Sequence, residues 1–156
     1  MNSPARSKAR SAARLAAVQA LYQQHMESTA LAKLLDEFHQ HRLGQGIDED
    51  AFGDAEYAAA EVPFFDDVVR GVDARRDEID AAIAAKLAAG WSLTRLDKAM
   101  LQVLRAGTYE LLARADVPVA VAISEYVDVA KAFFDDGQAK FVNGILDAVA
   151  KDVRAG

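Results

Sequence analysis

Residues 116–134, DVPVAVAISEYVDVAKAFF, decide the reading of this chain. Pro118 falls where a helix tolerates proline, because a first-turn residue has no N–H partner to lose. Beyond it Val119, Ile123, Tyr126, Ala130 and Phe133 recur in alternating steps of four and three, which is one face of a helix and is expected to be buried. Downstream, Asp135-Asp136-Gly137 reads as a short turn. After it Val142, Leu146, Val149 and Val153 form the apolar stripe of a last helix. Gly144 inside that stripe costs about 1 kcal/mol relative to alanine, so a close helix crossing is expected there.

Working upstream, a helix runs to about Arg114 from an N-cap at Thr94, with Asp97 three residues on in near capping-box register. Before it Ile79, Ile83 and Leu87 step by four along a helix ended by Gly90. Trp91 follows and is expected to anchor two halves of the molecule together. Pro63 opens another helix with Phe65, Val68, Val69 and Val72 on one side and a break at residues 71–73. Leu31, Leu34, Leu35 and Phe38 mark a helix over 29–42, and Val18, Leu21, Tyr22 and His25 mark the first helix, over 5–26. Residues 43–60, with three glycines and an acidic run at 48–50, read as a long loop.

Composition agrees with an all-α class. The chain has 156 residues, 52% of them hydrophobic, with only 3 prolines and 9 glycines, and β-branched residues rarely alternate with polar ones. The expectation is a compact bundle of about seven helices in two helical subdomains, a single domain over 1–156. Within it residues 1–8 form a flexible basic tail, about 9–72 an N-terminal half and about 73–156 a C-terminal half. The absence of cysteine excludes disulfides and thiolate metal sites. No apolar run approaches the roughly 20 residues of a membrane span, and the N-terminus does not read as a signal peptide, so a cytoplasmic location and no membrane partner are expected.

Catalytic spacing is missing. The chain has no phosphate-binding GxxxxGK, no GxGxxG, no HExxH and no GxSxG turn. The pairs Asp66-Asp67 and Asp135-Asp136 read as solvated faces, because adjacent helical residues point in different directions. His25, His39 and His41 share no face that would hold a metal. The chain therefore reads as a non-enzyme with no cofactor and no metal.

Charge is informative because it is uneven. The net charge is −6, yet Met1 to Met26 carries Arg6, Lys8, Arg10 and Arg14 with no acid before Glu27. A polyanion would meet one basic end on an acidic body. Lys8, Arg10 and Arg14 are the residue types that contact phosphates, and Tyr22 offers a ring to a base. Lys140-Phe141 repeats the cation-plus-aromatic pair at the start of the last helix. The competing reading is a solvated helix start, and for Phe141 a core residue.

Several blocks resemble the NusB family across nearly the whole chain, from Arg10 to Val153. They are Ala17-Val18-Gln19-Ala20-Leu21-Tyr22; Leu104-Arg105 with Tyr109-Glu110-Leu111; Asp116-Val117-Pro118 with Val121-Ala122-Ile123 and Glu125; Ala130-Lys131; and Lys140 through Asp147 (KFVNGILD). The resemblance implies two helical subdomains and a role in processive transcription antitermination, notably on ribosomal RNA operons. The implied partners are single-stranded boxA RNA, the ribosomal protein NusE and the RNA polymerase antitermination complex. It places RNA contacts on Arg10, Arg14, Tyr22, Lys140 and Phe141, with Lys8 a looser assignment. Ser11 and Ala12 stand where relatives carry basic residues, and Gly137 stands where some carry an acid. Four or five phosphate contacts would give a log-log salt slope of about −3. Two other readings stay open: a self-associating module whose homodimer occludes the RNA face, and the NusB-like part of an RNA methyltransferase, which would need a cofactor-binding domain this sequence lacks.

Overall fold

The computed structural model describes residues 4–40 and 61–154, with side chains from Ser7 onward. Among the described residues there are seven α-helices and no strand: α1 Pro4–Glu27, α2 Leu31–Phe38, α3 Val62–Ala74, α4 Arg76–Ala84, α5 Lys98–Ala113, α6 Val119–Phe133 and α7 Asp136–Val153. The all-α expectation is met. The expected loop over 43–60, together with His41 and Arg42, lies outside the described residues. The chain divides into two units, Met1–Arg70 and Gly71–Gly156.

In the first unit α1 begins at Pro4 and so takes in residues 4–8, which the sequence reading assigns to a flexible tail. It packs against α2. Its buried face is largely alanine, with Ala9, Ala13, Ala16, Ala17 and Ala20 beside Val18 and Leu21, whereas Tyr22 and His25, expected on that face, are exposed. Ser28, at φ 55°, closes α1 through its N–H to Gln24 O at 2.8 Å. Leu34, Leu35 and Phe38 of α2 are buried, and Phe38 stacks on Phe65 with centroids 5.6 Å apart. Regular α-helix ends at Phe38, and His39 and Gln40 continue in a wider π-type turn. His39 is held there by an Nε2 to Asp66 Oδ1 contact of 2.6 Å.

The second unit is organised around α5, whose residues Met100 to Leu111 are buried without a break. A helix buried all round carries its charged side chains into the interior, where they need partners. Arg105 donates Nε and Nη2 to the two carboxylate oxygens of Asp80 at 2.8 and 2.9 Å, tying α5 to α4. Tyr126 of α6 donates to Glu110 at 2.5 Å. Gly107 admits Leu146 of α7, and Gly71 admits the ring of Tyr109. The segments Leu104-Arg105 and Tyr109-Glu110-Leu111 are therefore packing motifs of the α5 environment.

Several local expectations need correction. The break expected at residues 71–73 comes later, because α3 runs to Ala74 and the turn falls at Arg75. Helix α4 ends at Ala84 and not near Gly90; the next N–H groups bond three residues back, Lys86 to Ile83 and Leu87 to Ala84. Thr94 lies in a 3-10 turn, Leu93–Arg95, and the cap of α5 is Asp97, whose Oδ1 accepts from Ala99 and Met100 N–H. Asp135 alone is the cap before α7. It forms a capping box with Gln138, so Asp136 and Gly137 belong to the first turn of the helix. Gly144 has open space around its missing Cβ, so no crossing occurs there. Trp91 is 58% exposed, and Phe133 leaves the buried face of α6 at 41% exposure.

Candidate nucleic-acid interface

The six side chains singled out for RNA fall into three states. Arg14 is only 3% exposed, with its guanidinium carbon 4.9 Å from the centroid of Phe64. Arg10 is half-buried over the same ring at 4.7 Å and donates Nε to Glu61 Oε2 at 3.2 Å, the carboxylate itself being buried. Arg10 and Arg14, one turn apart, share the face of α1 that meets Phe64, and their charge is answered within the first unit. Lys8, two residues before Arg10, projects from the opposite side and is exposed. Tyr22 is 40% exposed and lies roughly four turns beyond Lys8, on the same side of α1.

Lys140 and Phe141 occupy the second turn of α7, and both are exposed, Phe141 at 37%. Adjacent helical positions diverge by about 100°, so the two side chains enter different depressions of the second unit. Lys140 lines a groove of about 680 Å³ between α6 and α7, together with Lys131, Ser124, Asn143 and Asp136. Phe141 lines a smaller cleft of about 270 Å³ with Trp91, Arg95, Leu96 and Met100. The rim of that cleft is the capping apparatus of two helices, Asp97 of α5 and Gln138 of α7.

Sequence reasoning missed Lys131, Asn143, Trp91 and Arg95 as neighbours of these positions. Lys131 lies inside a block quoted for its family likeness, yet nothing local to it signals a groove. Trp91 and Phe141 are fifty residues apart, and only the packing of α5 against α7 brings them to one cleft.

Chemically the arrangement offers ammonium groups for phosphates and rings for bases. Among the described residues no group of three histidines or carboxylates is placed to hold a metal ion. No described helix is long and apolar enough to cross a membrane.

Comparison with known proteins gives a consistent result. The profile described as NusB family matches residues 11–151. A protein of Novosphingobium aromaticivorans named transcription antitermination protein NusB is 69% identical over 147 residues, covering 94% of this chain and 96% of its own. A protein of the same name from Sphingopyxis alaskensis is 66% identical, with 96% and 97% covered. Among solved structures, one of the antitermination factors NusB and NusE in complex with dsRNA superposes with a TM-score of 0.72. It is 27% identical and covers 93% of this chain and 98% of its own.

Proposed function

This chain belongs to the NusB family, and from that premise we propose that it is a non-enzymatic RNA-binding factor of transcription antitermination, acting on boxA RNA of ribosomal RNA transcripts together with NusE. The observation that carries the RNA part is the exposure, at consecutive positions of α7, of a cation and a ring flanked by two depressions. The solved complex of NusB and NusE with dsRNA supports both partners. Within this reading Lys8, Lys140 and its groove neighbour Lys131 contact phosphates, while Tyr22 and Phe141 stack on bases. Arg10 joins only by exchanging Glu61 for a phosphate, and Arg14 supports α1 from its buried position. The assembly acts in the cytoplasm within the RNA polymerase antitermination complex.

NusE fits as a partner because a basic ribosomal protein is attracted to an acidic body, and two ligands bound side by side strengthen each other by equal factors. The test is equilibrium binding of single-stranded boxA RNA, a scrambled strand and a boxA duplex, with and without NusE. Preference for the boxA strand, increased by NusE, is expected. Equal affinity for boxA and scrambled RNA overturns the reading, and equal RNA affinity with and without NusE removes the cooperative part. Light scattering on the same samples detects a homodimer that RNA dissociates, the outcome expected if self-association occludes the RNA face.

A further inference from the structure

We propose that Glu61 is a built-in competitor of RNA: in the free protein its carboxylate occupies Arg10, and a phosphate gains that cation only by displacing it. This deepens the RNA-binding reading above and rests on it, since it names what regulates the affinity. Every part of the device lies in the first unit. Arg10 of α1 donates Nε to Glu61 Oε2 at 3.2 Å, and its guanidinium carbon stands 4.7 Å from the centroid of Phe64, three residues past Glu61.

Uneven burial makes this pair a latch that opens from outside. The Arg10 side chain keeps 17% of its surface in water and that of Glu61 only 5%, so a phosphate can approach the cation while the carboxylate stays enclosed. The bond is also long. Charge-assisted N–H to carboxylate bonds lie near about 2.7–2.9 Å, and the Arg105–Asp80 pair of the second unit holds 2.8 and 2.9 Å, so a phosphate oxygen at ordinary distance is a competitive acceptor for Arg10. What remains after the exchange keeps the fold intact. Phe65 N–H donates to Glu61 O at 3.0 Å, which places Glu61 at the N-terminus of α3, where the helix dipole favours an anion. Arg14, 3% exposed, stays over the same Phe64 ring at 4.9 Å. Positive charge therefore surrounds the displaced carboxylate. A buried anion that loses a partner is nonetheless costly, so the exchange subtracts from the affinity that a free Arg10 would give. Glu61 thus holds RNA affinity down without touching RNA.

The test is a substitution that removes the charge and keeps the shape. Binding of single-stranded boxA RNA to the full chain is measured by anisotropy over a salt series for the wild type, Glu61→Gln, and Glu61→Gln combined with Arg10→Gln, with circular dichroism and melting of each. Glu27→Gln makes the same change of net charge at the exposed end of α1 and serves as control. Glu61→Gln is expected to bind about threefold to tenfold more tightly than both the wild type and Glu27→Gln, with a log-log salt slope steeper by about 0.7. Adding Arg10→Gln is expected to cancel both changes. Unchanged or weaker binding in a folded Glu61→Gln makes Glu61 a structural partner only; it overturns the proposal and leaves the RNA-binding reading standing. A gain that survives the loss of Arg10, or that Glu27→Gln matches, also overturns it. No RNA binding by any of these proteins overturns both. Should Glu61→Gln lose helix content, Glu61→Asp, which keeps the charge but shortens its reach, decides: a gain that needs Arg10 is expected, and its absence overturns the proposal.

Discussion

A Cβ added at Gly107 would stand 2.8 Å from Leu146 Cδ1, 3.0 Å from its Cδ2 and 3.4 Å from Tyr126 Cδ2, and both neighbours are fully buried. Overpacking of this kind costs about 1–3 kcal/mol, and the helix propensity gained by alanine returns up to about 1 kcal/mol. Gly107→Ala is therefore expected to lose about 1–2 kcal/mol in urea unfolding. Gly144→Ala, with nothing within 4 Å, is expected to gain about 0.5–1 kcal/mol in the same measurement. The two glycines look alike in the sequence, each inside a helical stretch, and differ in what lies across from them. Lys8 and Arg14 form a similar pair among the cations. Arg14→Ala removes buried packing on Phe64 and is expected to lower the melting temperature. Lys8→Ala is expected to leave melting unchanged and to weaken RNA binding.

At the level of the element, Arg154 at the end of α7 closes the end of α5. Its guanidinium donates to the carbonyls of Leu111 at 2.8 Å, Glu110 at 3.2 Å, Arg114 at 2.6 Å and Val117 at 2.9 Å. Helix C-terminal carbonyls lack intrahelical donors and carry the negative end of the dipole, so one planar cation answers both. Arg154→Ala is expected to cost about 2 kcal/mol in thermal or urea unfolding. Arg154→Lys recovers only part of it, since a point ammonium lacks the fork of donors. The turn between α3 and α4 carries a pH-sensitive pair. Arg75 donates Nε and Nη2 to both oxygens of Glu78, and this hydrogen bond, opposed by desolvation and aided by the Arg75 charge, holds the Glu78 carboxyl below its ordinary range. A carboxyl depressed in the folded state contributes stability above its unfolded pKa and loses it as pH falls through the folded value. Both groups are solvated, so that contribution is small. Arg75→Ala is expected to move the Glu78 midpoint upward in a carboxyl-carbon NMR titration, and an unmoved midpoint would refute the pairing.

For the whole molecule, the net charge of −6 leaves RNA binding to a few exposed cations. On the reading proposed above, the burial of Arg14 and the Arg10–Glu61 pair leave fewer phosphate contacts than the four or five expected from sequence. With Lys8, Lys131 and Lys140 as the contacts, affinity for single-stranded RNA should fall with salt at a log-log slope of about −2, at roughly −0.7 per contact. Lys140→Ala should make that slope shallower by about 0.7. A slope of −3 or steeper would return Arg10 and Arg14 to the phosphate-binding set.

The amino-acid sequence alone determined that this chain is helical, where each of its helices lies to within several residues, and which family it belongs to. Those properties follow from periodicity, from proline and cap residues, and from ordered blocks, all of which are local. Of the helix ends it missed, the start of α5 at Lys98 turned on which capping side chain reaches an N–H, as that of Asp97 does. Tertiary structure alone decided which side chains of the candidate interface are available. Arg14 lies against Phe64 from a helix fifty residues on, Glu61 neutralises Arg10, and α5 packed on α7 places Trp91 and Phe141 around one cleft. A helical period names a face without naming what covers it, and burial is set by whichever distant segment arrives there.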